Sequence, residues 1–197
     1  MLSRSIIKGF EQLLKKIKEK GKDISPALRI ISGLAEETIL QNIASHGRYD
    51  GSEGSNVTIF SGGNQKWKAL APSTKKAYQV KGYSPLLPTL NRNKNLVASI
   101  EVNPEKKSAI VISANSPYAA IHQFGGIINH PGGTEYGFMT KADASKGKIL
   151  FLKKGSGYMV LGTTKPHKIE IPARPYLVFQ DKDIKEWIDA IGDFYFR

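Results

Sequence analysis

Apolar residues recur along this chain with a helical period at both ends and with a strand-like alternation between them. Ile6, Ile7, Phe10, Leu13, Leu14 and Ile17 fall three or four residues apart, which predicts an amphipathic helix over residues 3–20 that stops near Gly21. Ser25-Pro26 reads as an N-cap followed by proline at the first helical position, where a missing N–H costs nothing. The helix it opens carries Leu28, Ile31, Ala35, Ile39 and Ile43 on one face and ends near Ser45. From His46 to Asn56 the chain is polar and contains three glycines, the composition of a mobile loop.

The pattern then changes. Val57-Thr58-Ile59-Phe60 predicts a strand, and Ser73 or Thr74 is placed to cap a short helix through Tyr78. Leu96–Val102 and Ala109–Ala114 predict an antiparallel hairpin joined by Asn103-Pro104-Glu105-Lys106, a turn with proline at its second position. Ser116-Pro117 precedes a short helix carrying Ala119, Ala120, Ile121 and Phe124, which Gly125-Gly126 ends by permitting positive φ. Residues 127–170 form a long excursion, in which Ile149–Leu152 is expected to pair with Tyr158–Leu161 across Lys153–Gly157. A last helix over 181–193 places Ile184, Trp187, Ile188 and Ile191 on one face.

The segment that leads into this helix is Ile171-Pro172-Ala173-Arg174-Pro175-Tyr176-Leu177. Two prolines three residues apart fix φ at both positions and remove two donors, so the segment must be extended and outside any sheet. Arg174 is its only charge and is flanked by apolar residues, which points its side chain at a specific partner.

Tyr118-Ala119-Ala120-Ile121-His122-Gln123-Phe124-Gly125-Gly126 resembles the "YAxIHQxGG" block of the phage virion morphogenesis family, the tail completion proteins of long-tailed phages and prophages. That family has an "IPARPFL" segment downstream and then an acidic helix start, like Asp181-Lys182-Asp183-Ile184 here. Trp67-Lys68-Ala69-Leu70-Ala71-Pro72-Ser73-Thr74 is similar to its upstream "W-x-x-L-(S/A)-P-x-T" block. Three blocks in the family's order, from about Gly62 to Ile191, carry the resemblance. The family's "TGxLxxSI" segment is matched by Asn93-Lys94-Asn95-Leu96-Val97-Ala98-Ser99-Ile100, with Asn-Lys in place of Thr-Gly. Residues 1–60 match in helical character only. The positions singled out are Trp67, Tyr118, His122, Gln123, Gly125, Gly126, Pro172, Arg174 and Pro175.

Composition bounds the reading. At 197 residues the chain suits one α+β domain: two N-terminal helices, a mainly antiparallel sheet with an extended hairpin excursion, and a C-terminal helix. No apolar run is long enough to span a bilayer, so a soluble, cytoplasmically made protein is expected. The absence of cysteine removes disulfides, thiol nucleophiles and thiolate metal sites together. A net charge of +12, from 29 basic and 17 acidic residues, predicts attraction to an acidic surface, whether nucleic acid or protein. Lys15, Lys16, Lys18, Lys20 and Lys22 are the densest cluster, and at a helix C-terminus they complement the dipole.

No catalytic constellation emerges. His46, His122, His130 and His167 have no zinc spacing, and Gly125-Gly126 and Gly155-Ser156-Gly157 are not followed by the Lys-Ser/Thr of a phosphate loop. Asp181 and Asp183 are explained by helix capping. His122 and Gln123 are expected to fix a local hydrogen-bond network, and Trp67 to plug the core. No enzyme activity, cofactor or metal is expected, and a hydrolase built on His122 is the weakest of three readings. What the resemblance implies is a structural protein of tail completion or head-tail joining, a ring of its own copies with a hexamer as candidate stoichiometry. Its partners would be tail terminator, tail tube or neck proteins, with DNA only as the passing genome and no membrane. It would lie at the head-tail junction of a virion assembled in the host cytoplasm. The alternative, resting on charge alone, is a basic nucleic-acid-binding protein.

Overall fold

The computed structural model describes residues 2–21, 23–52, 57–59, 66–80, 82–83, 89–91, 94–105 and 109–196. Lys22, the end of the expected loop at residues 53–56, Phe60, Gly62, Gly63, Asn93 and Lys106, which enter the sequence reading, lie outside them. The elements are α+β, with helices at both ends and antiparallel pairing throughout. The chain forms two compact units, residues 1–125 with 172–197, and residues 126–171. No described helix is long and apolar enough to cross a membrane.

In the first unit, α1 (Leu2–Glu19) and α2 (Ser25–Ala44) follow the predicted periods. Ile17 and the α2 stripe Leu28, Ile31, Ala35, Ile39 and Ile43 are buried. The Ser25 expectation shifts by one residue. Ile24 is the N-cap, and Asp23 Oδ1 accepts from both the amide and the hydroxyl of Ser25 at 3.0 and 2.8 Å. The C-terminal helix α7 (Asp181–Phe196) packs Ile184, Trp187 and Ile191 into the same core, with Trp187 edge-on to Phe179 at 4.9 Å. The strand β1 (Val57–Ile59) pairs antiparallel with β9 (Phe179–Gln180). Helix α3 (Pro72–Val80) starts at Pro72, so Ser73 and Thr74 lie inside its first turn rather than capping it.

The hairpin expected from Leu96 begins later. Asn95–Ala98 is a single helical turn, α4, and the ribbon is β2 (Ile100–Glu105) with β3 (Ala109–Ala114). Lys94, at the position where the resembled family has glycine, takes φ +58°, the left-handed conformation glycine adopts freely. Asn103, Pro104 and Glu105 are strand residues, not a turn, and Pro104 faces Ile110. Both strands of a two-stranded ribbon are edges, so a proline without its donor fits. Helix α5 (Ala119–Phe124) follows, with Gly125 at φ 70° as its C-cap.

The second unit opens and closes on one antiparallel pair, β4 (Gly126–His130) with β8 (His167–Ile171), in which Gly126 faces Ile171. Its other sheet corrects the expected pairing of residues 149–152 with 158–161. β5 (Glu135–Phe138) lies between β6 (Leu150–Phe151) and β7 (Met159–Thr163) and bonds to both. A third strand between the two satisfies backbone groups on both its edges, which a direct hairpin would leave to solvent. Gly137 makes this possible, because a Cβ there would collide with the Met159 carbonyl. α6 (Lys141–Ser145) is capped by Thr140 and Asp143 in a reciprocal box.

Candidate functional site

The proline-arginine strap, Pro172–Val178, lies in no strand, yet six of its backbone polar groups are bonded by partners outside it. Arg174 N–H donates to the His122 carbonyl at 2.8 Å. The Pro175 carbonyl accepts from Trp67 Nε1 at 3.2 Å. The amides of Tyr176 and Leu177 both donate to Gln123 Oε1 at 3.0 Å. The carbonyls of Tyr176 and Val178 both accept from Asn42 Nδ2, at 3.0 and 2.9 Å. Side chains from α2, α5 and the Trp67 segment thus supply what a neighbouring strand would supply, which lets a segment with two prolines be buried. Tyr176 is completely buried, and burial raises its phenol pKa.

Three sequence-selected blocks therefore meet at one place. Trp67, His122, Gln123, Arg174 and Pro175 come together around the strap. Pro172 begins it, half-buried, Gly125 ends α5, and Gly126 opens β4. Tyr118 is not part of the network, since its side chain is 63% exposed. Trp67 is half-buried against the core and lies on Gly47, where a Cβ would come within 2.7 Å of the indole; Gly47 also has φ +86°. Gln123 takes the networking role expected of the His-Gln pair. The ring of His122 does not, because its buried Nδ1 has no hydrogen-bond partner.

A second polar cluster adjoins Asn42. Arg48 donates from Nη1 and Nη2 to the two carboxylate oxygens of Asp183 at 2.9 and 2.6 Å, and from Nε to Asn42 Oδ1 at 2.8 Å. Asp183 Oδ2 also accepts from the amide of Gln180 at 2.7 Å, so the expected capping role is real but covers only part of what this carboxylate does. Arg48 and Asn42 escape the sequence reading. Asn42 had a readable signal, a polar residue within the buried face of α2 beside Ile39 and Ile43; Arg48, in a polar loop, had none.

Arg174 itself is 6% exposed, and its Nη2 donates to the Lys68 carbonyl at 3.1 Å. Burial lowers its pKa, and burial together with the Arg174 charge lowers that of His122. For His122 the sign follows directly. Below the ordinary value near 6.5 the unfolded chain binds a proton that the folded chain resists, so this group costs stability as pH falls and nothing well above that value. The melting temperature is expected to fall more between pH 8 and pH 5 in the wild type than in His122→Asn. Equal falls in the two proteins would show a ring that titrates normally.

Among the described residues no group of three or more His, Asp or Glu side chains is arranged to hold a metal ion. What the arrangement offers is a set of buried hydrogen bonds that fixes the strap to α2, α5 and the Trp67 segment. The phage virion morphogenesis family model matches residues 7–194, and the chain belongs to that family. It is 28% identical over 171 residues to the Mu-like prophage FluMu G protein 2 of Haemophilus influenzae, an alignment covering 87% of this chain and 78% of that relative. No solved structure matches it significantly. Its role is therefore in phage virion morphogenesis.

Proposed function

We propose that the protein is a structural, non-catalytic component of tail completion or head-tail joining. It assembles with its own copies into a ring at the upper end of the tail, against tail terminator, tail tube or neck proteins. The observation that carries this reading is the surface of residues 126–171. Ile127, Ile149, Phe151, Tyr158, Val160 and Leu161 are exposed there, and of its large apolar side chains only Leu152 is buried. Strand β7 adds an uncharged edge that, among the described residues, pairs on one side only, with β5. Surfaces of this kind mark protein contacts, and an open apolar edge is a template for another chain. Head-to-tail contacts between identical chains close into rings when the rotation permits.

The test is a phage whose gene carries Phe151→Ser with Leu161→Ser. The purified variant should keep its wild-type circular dichroism, while electron micrographs of lysates show filled heads and finished tails accumulating apart. Normal joined particles containing the variant would overturn the reading. The wild-type protein should bind duplex DNA only non-specifically, with Kd roughly 10⁻⁴–10⁻⁶ M at physiological salt. Tight, sequence-selective binding would make it a nucleic-acid-binding protein instead.

A further inference from the structure

We propose that Arg174 and His122 form a receptor for a carboxylate carried by another protein chain of the assembled particle. The starting point is an imbalance of charge. Arg174 is nine-tenths buried, yet among the described residues only its Nη2 finds a hydrogen-bond acceptor, the neutral Lys68 carbonyl, and its buried Nε finds none. None of the ion pairs among the described residues involves it. Among the described residues the ionisable neighbours that act on it or respond to it are Tyr78 and His122, neither of them a carboxylate. The backbone amide of Arg174 donates to the backbone carbonyl of His122, whose ring carries a second buried nitrogen, Nδ1, with no partner among the described residues.

The same chain shows what a finished arginine site looks like. Arg48 is also withdrawn from solvent, and there all three guanidinium nitrogens are bonded to Asp183 and Asn42. A buried charge left unpaired is a large cost, and a fold that pairs one arginine this fully has no structural reason to strand another. The planar fork matches the two oxygens of a carboxylate, and a strap pinned by Asn42, Trp67 and Gln123 holds it in place before the partner arrives. A protein side chain suits the site better than a nucleic-acid backbone, because a phosphate backbone is held by several exposed cations together and Arg174 is the only charge of its segment. The inference does not depend on where in the particle the protein sits.

The experiment compares wild type with Arg174→Met, which keeps the length and removes the charge. In the isolated chain Arg174→Met should melt at or above the wild-type temperature, because an unpaired buried charge has gone. Its assembly should weaken by about 30-fold or more, the loss expected when one partner of a buried charge pair is removed. Sedimentation of each protein alone over a concentration series locates the carboxylate. Weakened self-association places it on a second copy. Unchanged self-association with loss of the variant from particles places it on a different protein. A variant that melts well below wild type, or fails to fold, would show that Arg174 serves the fold and would overturn the proposal. Normal incorporation into particles would overturn it too, as would duplex DNA binding that depends on Arg174.

Discussion

Asp183→Ala is expected to destabilise the folded chain by about 3–5 kcal/mol, the range for breaking one side of a buried ion pair. The Asp183 side chain is 2% exposed and that of Arg48 11%, so the pair is shielded from the screening that makes surface pairs nearly worthless. Removing the carboxylate strands the Arg48 guanidinium, which keeps only its bonds to Asn42 and, at 3.4 Å, to Gln41. It also orphans the buried amide of Gln180 at the start of α7. Urea unfolding of Asp183→Ala, of Asp183→Asn, of Arg48→Met and of Arg48→Met with Asp183→Asn gives the check. The double variant should lose less than the sum of its single losses, since the introduced carboxamide can still accept from Gln180 while no charge remains to be stranded. A loss below about 1 kcal/mol in Asp183→Ala would place the pair with solvent-exposed bridges.

This pair also marks where sequence reading stops. Periodicity made α1, α2 and α7 legible, because a helix that buries one face must repeat its apolar residues at 3.6. The strap was legible for a different local reason: two prolines leave the backbone few options, and Pro172 and Pro175 do keep the segment out of every sheet. Arg48 and Asp183 lie 135 positions apart, and no local rule joins a polar loop to a helix start at that distance. Strand partners fail for a similar reason. The runs at 149–152 and 158–161 were correctly apolar, but their sequence does not say that β5 will lie between them. Gly137 is the trace of that arrangement, and as a lone glycine it says only that something comes close. Gln123 was picked out by resemblance; its chemistry, a single amide oxygen accepting two successive backbone donors, needed coordinates.

Gln123→Leu should therefore be severe, although it exchanges one buried side chain for another of similar size. Gln123 is 6% exposed, and its Oε1 accepts from the amides of Tyr176 and Leu177. Neither amide has another acceptor in the strap, and Pro175 just before them carries no amide hydrogen with which to form an alternative turn. Each buried donor left unpaired costs about 1–3 kcal/mol, and here one substitution orphans two. The loss also has a location. Asn42 and Trp67 would still hold the strap carbonyls, so the variant should stay attached to α2 and loosen on the α5 side. Amide hydrogen exchange at Tyr176 and Leu177 should then accelerate far more than exchange in the middle of α2. Exchange that rises evenly over the whole chain would mean the strap and core open only together. Unchanged melting with unchanged protection at these two amides would show that Gln123 does not pin the strap.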